Sequence, residues 1–441
     1  MRGLKKNIYL KLLVITGLIL VLLIPTTMVK NLILEREDLQ KTSIKEVSAK
    51  WGQSQTISGP FISIPYDKYV NSFTERGSIY KTVKQKSWLH FLPEKLEVSG
   101  SITPEKRYRG IFEVVLYESE FKIKGVFSDF NFEKFDIDKK DVHFEKSTLN
   151  IGISDLKGIE NQLTLNWNDN VSSFSSGVST TNIVSTGINS EVSIEEEAAV
   201  GYSFSTSINL NGSQSLYFTP VGKTTDINIK SNWETPSFTG SYLPDSREVS
   251  EDGFVANWNI LHLNRNYPQS WINASYSIRK SEFGTDLLLP VDNYKKSYRV
   301  AKYAILFLLL TFTTFFFVEI LKNIFIHPIQ YLLVGLALVI FYTLLVSFSE
   351  HLKFNASYIL SSFLTLFLIA FYTKAVTKNN QISMLVSGIL IILYAFIFTI
   401  IQLEDYALLI GSLGMFTILG IIMYTSRKID WANLKVNPKK T

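Results

Sequence analysis

Residues 12–29 read LLVITGLILVLLIPTTMV and carry no charge between Lys11 and Lys30. A bilayer core needs ~20 predominantly apolar residues, and a run of ~17 is still sufficient. A cleaved signal peptide has a shorter apolar region of ~7–15 residues, followed by a site of small residues. Here the run is longer and ends in Pro25-Thr26-Thr27-Met28-Val29, which is a poor cleavage site. We therefore predict an uncleaved membrane anchor.

Five more apolar runs follow in the last third of the chain, each long enough to span a bilayer. They are residues 303–321, 329–347, 355–372, 382–402 and 406–424. Short polar loops separate them, and Glu319 is the only charged residue inside any of them. This pattern predicts an α-helical polytopic membrane protein with six transmembrane helices.

Lysine and arginine near the ends of the spans predict the orientation, because cytoplasmic loops carry an excess of both. With the N-terminus inside, residues 1–29, the two inner loops and the C-terminal tail hold twelve basic residues. The short outer loops hold only Lys353. Lys295, Lys296, Arg299 and Lys302 oppose this assignment, but long translocated domains largely escape the rule. We expect both termini in the cytoplasm and residues 30–302 outside it.

The long segment between the first two spans has its own sequence pattern. Residues 30–50 have helical periodicity and predict a stem, whereas the apolar period beyond Trp51 changes to two, as in Phe121–Phe127. Asn211-Gly212 between two alternating runs predicts a hairpin turn. We expect an antiparallel, sandwich-like, mainly-β domain inserted between helices 1 and 2.

Charge and cysteine content exclude several classes of protein. The net charge is +5, yet residues 30–302 hold 31 basic and 34 acidic residues, so the positive excess flanks the apolar runs. A nucleic-acid-binding surface needs basic charge on the folded domain, and we expect no nucleic-acid partner. The absence of cysteine excludes disulfides and thiolate metal sites.

Charged residues in and beside the spans are the first candidate functional residues. Glu319 lies near the inner end of the second span, where an ionisable residue is costly and often functional. It also lies close to Lys322 at the interface, and we favour the interpretation that it simply pairs or snorkels there. Glu350 and His351 occupy a short outer loop; a histidine can be a pH switch or a metal ligand, but a solvated loop or helix cap is the simpler interpretation.

The segment between the spans offers a second candidate group. Asp155 and the pair Arg107 and Arg109 could form a polar site, although solvated or structurally paired charges are the default. Trp233 and Trp258 are typical of packing anchors. Neither a His-Glu-x-x-His nor a Gly-x-Ser-x-Gly pattern occurs in the sequence. We therefore predict no catalytic residue, no metal ligand and no cofactor.

Several blocks in the chain resemble the CreD-type inner-membrane proteins, called cell-envelope integrity or colicin-tolerance proteins. The blocks keep the order of that family across most of residues 22–360. They include Trp51-Gly-Gln-Ser-Gln-Thr-Ile-Ser-Gly-Pro60 and Ser231-Asn-Trp-Glu-Thr-Pro-Ser-Phe-Thr-Gly240. The most specific are His327-Pro-Ile-Gln-Tyr-Leu-Leu-Val-Gly335 and Ser349-Glu-His351. Residues 361–441 match mainly by hydropathy.

The resemblance implies a Gram-negative inner-membrane protein with a periplasmic domain and a role in envelope homeostasis under stress, without an established reaction. Its partners would be the lipid bilayer and a periplasmic or envelope protein. Two other classes stay open. A secondary transporter needs polar residues deep in several spans, and a membrane-embedded enzyme that modifies the envelope would use carboxylates of the outer domain.

Overall fold

The structure is a computed structural model. It describes residues 8–73, 80–128, 130–195, 201–287, 293–322, 324–403 and 406–427. The predicted cytoplasmic N-terminal residues 1–7 and most of the predicted C-terminal tail, residues 428–441, lie outside this description. The chain divides into two compact units, a membrane unit of Met1–Lys41 with Val291–Thr441 and a β unit of Thr42–Pro290.

Six helices in the described residues are long and apolar enough to cross a membrane. The first, α1 (Ile8–Trp51), continues without a break through Pro25 and includes the predicted stem. A short helix, α2 (Asn293–Lys302), precedes the other five spans. Those are α3 (Ala304–Lys322), α4 (Pro328–Ser349), α5 (Phe354–Thr377), α6 (Asn380–Gln402) and α7 (Ala407–Ser426).

The start of α4 shows how local sequence sets a span boundary. His327 is the N-cap, and its Nδ1 accepts a hydrogen bond from the backbone N–H of Ile329 at 3.3 Å. Pro328 occupies the first helical position, where its missing N–H is harmless because that donor would have no intrahelical partner. His327-Pro328 thus acts as a helix start and not as a chemical group.

Helix α2 explains the basic cluster that opposed the predicted orientation. Tyr294, Ser297, Val300 and Ala301 form its buried face. Lys295 and Lys302 are exposed on the remaining surface. Amphipathic helices with a basic face are typical of the membrane interface. These cations therefore belong to a separate surface helix and not to the end of a span.

Seventeen strands lie in the described residues of the β unit. They are β1 (Gln55–Phe73), β2 (Tyr80–Phe91), β3 (Lys95–Arg109), β4 (Phe112–Phe127), β5 (Thr148–Ile153), β6 (Thr164–Trp167), β7 (Asn170–Ser173), β8 (Ser175–Ser176), β9 (Gly187–Glu191), β10 (Tyr202–Ser213), β11 (Ser215–Thr219), β12 (Thr224–Ser231), β13 (Pro236–Gly240), β14 (Ser246–Ser250), β15 (Gly253–Leu261), β16 (Ser270–Ile272) and β17 (Phe283–Leu287).

The strands form two sheets. One contains nine strands along the order β13-β17-β11-β1-β5-β9-β8, with β2 paired to β1 and β16 paired to β2. The other contains eight in the order β14-β15-β12-β3-β4-β10-β6-β7. Most neighbours are antiparallel, but β1 pairs with β11 and β12 pairs with β3 in parallel. The sheets are therefore mixed, where the sequence pattern predicted antiparallel pairing throughout.

The two sheets pack on one apolar core. Phe121 of the eight-stranded sheet meets Phe218 of the nine-stranded sheet edge to face, with ring centroids 5.4 Å apart. Trp258 and Phe283 meet across the same layer at 5.6 Å. In β4, Phe121, Ile123 and Phe127 are buried while Lys122 and Lys124 are exposed, which is the predicted alternation. The predicted fold class, six apolar helices with a mainly-β sandwich inserted after the first, is confirmed.

The predicted hairpin at Asn211-Gly212 is wrong. Both residues lie inside β10, where Gly212 pairs with Tyr117 of β4. The chain turns two residues later at Gln214, which has a φ of 64°. The next strand, β11, then pairs in the other sheet. The Asn-Gly pair is a poor guide here because Gly212 is required by close packing and not by a turn.

Candidate functional site

The intramembrane carboxylate, Glu319, lies in a polar cluster at one end of the membrane unit. Its side chain is 4% exposed and forms an ion pair with Lys11. The Tyr331 hydroxyl donates a hydrogen bond to the other carboxylate oxygen at 3.1 Å, and the Lys11 ammonium also donates to the carbonyl oxygen of Ile326 at 3.2 Å. Both charges are therefore compensated, which is what a structural pair requires.

Lys11 was not predicted from the sequence as the partner of Glu319, although a signal was present. The two residues are 308 positions apart in the chain. The first span begins, and the second span ends, on the same side of the membrane. A cation at the start of one and an anion at the end of the other therefore lie at the same depth.

A second polar cluster contains Glu350, the C-cap residue of α4. Arg36 of α1 forms an ion pair with its carboxylate, and the Tyr294 hydroxyl donates a hydrogen bond to it at 3.0 Å. Burial, with the Glu350 charge beside it, raises the pKa of Tyr294 well above its ordinary range. The phenol therefore stays protonated as a donor. His351, the neighbouring candidate, is exposed.

The two clusters mark the two ends of the membrane unit. Lys11 and Arg36 are 25 residues apart on the continuous helix α1, which is about 38 Å at 1.5 Å per residue. The hydrocarbon core of a bilayer is ~30 Å thick. Each cluster therefore fits one interface, where charges cost little, and neither Glu319 nor Glu350 lies at mid-bilayer depth.

Five buried hydroxyl side chains on four helices of the membrane unit, which we call the hydroxyl cluster, were not among the residues predicted from the sequence. Its members are Thr311, Tyr342, Tyr358, Ser361 and Tyr394, all nearly inaccessible. The Tyr358 hydroxyl donates to the backbone oxygen of Tyr394 at 2.8 Å. The hydroxyls of Thr311, Tyr342 and Ser361 have no hydrogen-bond partner among the described residues. Unpaired polar groups in an apolar setting are costly, so these hydroxyls are candidate functional groups of the membrane unit.

Arg109 lies at the tip of the β3–β4 hairpin, beside the end of α1. Its guanidinium forms an ion pair with Glu46 at 3.2 Å, and both side chains are more than half exposed. The Arg107 guanidinium lies over the Trp51 ring, 5.1 Å from its centroid. Between helix and hairpin is a groove of about 200 Å³, which we call the stem groove. It is lined by Glu46, Val47, Lys50, Trp51, Arg107, Arg109 and Leu116.

The hairpin tip beside this groove exposes apolar surface. Gly110 makes the turn with a φ of 62° and has open space around it. Tyr108 is 70% exposed and Ile111 is 38% exposed. Tyrosine and arginine are enriched at protein interfaces relative to other surfaces. The tip thus combines exposed apolar and arginine side chains within one short segment.

Asp155 does not join the arginines in one polar site. Its carboxylate accepts hydrogen bonds from the backbone N–H groups of Gln53 at 3.1 Å and Lys157 at 3.2 Å. It caps a short helical turn, Leu156–Gly158. Asp155 therefore fixes the backbone where the chain leaves α1, whereas Arg109 pairs with Glu46.

A serine–histidine contact in the β unit is structural. Ser63 Oγ and His90 Nδ1 are 3.0 Å apart, and neither residue is accessible to solvent. Burial lowers the pKa of His90 to about 3, so the ring is neutral near pH 7. Within the described ranges, no group of three His, Asp or Glu side chains is arranged to hold a metal ion.

These features define a class of protein: a multi-pass membrane protein with a β-sandwich inserted after its first span. The chain matches the family described as Inner membrane protein CreD over residues 7–432. It is 31% identical over 435 residues to Inner membrane protein CreD of Escherichia coli (strain K12), covering 97% of this chain and 94% of that relative. The chain belongs to the CreD family of inner-membrane proteins, which confirms the resemblance seen in its sequence.

Proposed function

We propose that this inner-membrane protein maintains cell-envelope integrity under stress and acts through its β unit, without catalysing a reaction. In this proposal residues 30–302 lie in the periplasm and both termini in the cytoplasm. The membrane unit then serves as an anchor, and residues 303–441 form its five-helix part. Its partner is a periplasmic or envelope protein. The distribution of Lys and Arg along the chain supports the orientation.

The proposal rests on the exposed side chains at the tip of the β3–β4 hairpin. Tyr108 is 70% exposed and lies between Arg107 and Arg109. Aromatic and arginine side chains supply most of the binding energy at protein interfaces. The ion pair between Arg109 and Glu46 is exposed and stabilises the tip little, so Arg109 remains accessible to a partner.

A photo-crosslinking residue at position 108 tests this proposal in intact cells. Val171 is equally exposed at 70% and lies in β7, so position 171 is the matched control. We expect an envelope protein, identified by mass spectrometry, to crosslink from position 108 and not from position 171. Equal crosslinking from both positions, or none from position 108 at full membrane levels, would contradict the proposal.

Transport is a second candidate function because of the buried hydroxyl cluster. A transporter needs polar groups deep in several spans, and Thr311, Tyr342, Ser361 and Tyr394 come from four of them. Tyr342→Phe removes one hydroxyl and keeps the ring. Under the transport alternative this change abolishes stress protection; under the proposed role the variant protects as well as the unchanged protein does.

A further inference from the structure

An elongated groove of about 580 Å³ opens among α3, α6 and α7 of the membrane unit. Its walls are mainly aliphatic and aromatic, with Leu310 and Phe317 from α3, Leu385 and Phe396 from α6, and Ile418 from α7. The volume lies within the ~300–1,000 Å³ of small-molecule pockets. None of the described residues of α7 is buried, so this helix leaves space between itself and the bundle.

The few polar residues in the groove do not make it polar. Thr314 Oγ1 donates to the carbonyl oxygen of Leu310 at 2.8 Å, and Thr417 Oγ1 donates to that of Leu413 at 2.9 Å. Thr425 Oγ1 likewise donates to Ile421 at 2.8 Å. Because the donors of these three hydroxyls bond within their own helices, the groove remains a mainly apolar site.

The groove occupies one half of the membrane thickness. It follows α3 from Leu310 to Lys322, which is about 18 Å at 1.5 Å per residue. One leaflet of a ~30 Å hydrocarbon core is about 15 Å deep. The lining residues of α6 come from its first part and those of α7 from its last part, as expected for one leaflet on the Lys322 side.

A cation stands at the membrane-surface end of the groove. Lys322 is the one charged side chain among the described lining residues. It is exposed, and no carboxylate in the described residues forms an ion pair with it, in contrast to Lys11 on the same side of the unit. Basic pockets between transmembrane helices bind anionic lipid head groups.

We propose that this groove is a binding site for an anionic phospholipid of the leaflet on the Lys322 side. The acyl chain lies along α3, α6 and α7, and the Lys322 ammonium binds the phosphate. This leaflet is the cytoplasmic one in the proposed orientation. The site does not depend on the periplasmic partner.

Native mass spectrometry of the purified full chain tests the head-group contact. The probes are phosphatidylglycerol and phosphatidylcholine with identical acyl chains. We expect tighter binding of phosphatidylglycerol, and Lys322→Gln to weaken it about fivefold, the factor for one cation at an anionic surface. Lys374→Gln removes an exposed cation outside the groove and should bind like the unchanged protein. Equal binding of both lipids, or equal losses in the two variants, would overturn the proposal.

Filling the groove tests the acyl-chain contact. Thr417→Trp places a large side chain in the groove, and Thr399→Trp places one on an exposed surface of α6 outside it. We expect Thr417→Trp to lose the bound lipid and Thr399→Trp to keep it. If Thr417→Trp retains the bound lipid fully, the acyl chain does not lie in this groove. If the protein is a dimer that this change dissociates, a second copy of the chain occupies the groove. Either result would overturn the proposal. Lys322→Gln decides the matter if Thr417→Trp fails to insert, because an exposed lysine does not support the fold.

Discussion

The ion pair between Lys11 and Glu319 predicts a structural role for the intramembrane carboxylate, and that role can be tested. Removing one partner of a buried ion pair leaves the other charge uncompensated and costs ~3–5 kcal/mol, whereas apolar replacement of both is often neutral. Glu319→Gln should therefore lower the thermal stability of the full chain in detergent. The double variant Lys11→Met/Glu319→Met should restore it. A double variant less stable than Glu319→Gln would exclude the structural role.

His90 makes the β unit sensitive to acid. Burial lowers its pKa to about 3 from 6.5, so on acidification the unfolded chain binds a proton before the folded chain does. The stability present above pH 6.5 is therefore lost progressively as the pH falls towards 3. From pH 7 to pH 5 the loss is about 2 kcal/mol.

His90→Gln should remove this part of the pH dependence. Six of the seven tryptophans lie between residues 51 and 271, so the tryptophan fluorescence of the full chain follows the unfolding of the β unit. We expect the difference in unfolding free energy between pH 7 and pH 5 to be about 2 kcal/mol smaller in the variant. An unchanged difference would mean that His90 does not titrate as the structure indicates.

At the scale of the elements, two glycines have different structural roles: Gly110 lies in a turn, whereas Gly212 lies in a strand where the sequence predicted a turn. Gly110 turns the β3–β4 hairpin in a left-handed conformation in open space, whereas a side chain at Gly212 would overlap the Tyr117 phenol. Asparagine tolerates the left-handed conformation, but it does not relieve overlap in a packed core. Gly110→Asn should therefore be nearly neutral, and Gly212→Asn should cost ~1–3 kcal/mol.

Denaturant unfolding followed by tryptophan fluorescence distinguishes the two glycine variants. If Gly110→Asn shifts the unfolding midpoint and Gly212→Asn does not, position 212 tolerates a side chain as a turn residue does. The Asn211-Gly212 pair would then form the turn after all. Comparable shifts of the midpoint in both variants would mean that the close packing at Gly212 does not make it less tolerant of substitution than the open turn at Gly110.

Elements that depend on local patterns could be predicted, and those that depend on distant pairing could not. The spans follow from apolar runs because every backbone group in lipid must bond within its own helix. The alternation in Phe121–Phe127 likewise fixes a strand and its buried face. The parallel pairing of Gln55–Ser58 with Leu216–Thr219 left no local signal. The hydroxyl cluster also escaped prediction because its members are single residues on four separate helices.

For the whole molecule, the charge asymmetry predicts one orientation. Reporter fusions after Tyr66 or Asp245 should be active in the periplasm, because they follow one span. Fusions after Lys378 or Thr441 should report the cytoplasm, because an even number of spans precedes each. A cytoplasmic signal at Asp245 would invert the orientation and remove the β unit from the periplasm.

The division of roles between the two units leads to the most direct test. A deletion strain under envelope stress can be complemented with variants at matched membrane levels. We expect Tyr108→Ser/Arg109→Ser to lose most of the growth rescue, because it removes the exposed tip contacts without disturbing the core. Val171→Ser, an equally exposed control, should rescue fully.

In the same complementation experiment, Lys11→Met/Glu319→Met measures the contribution of the membrane unit. If the protein acts through its β unit, this variant rescues growth as the unchanged protein does, while the hairpin-tip variant fails. The reverse result, full rescue by Tyr108→Ser/Arg109→Ser and none by Lys11→Met/Glu319→Met, would contradict the proposed function and favour transport through the membrane unit.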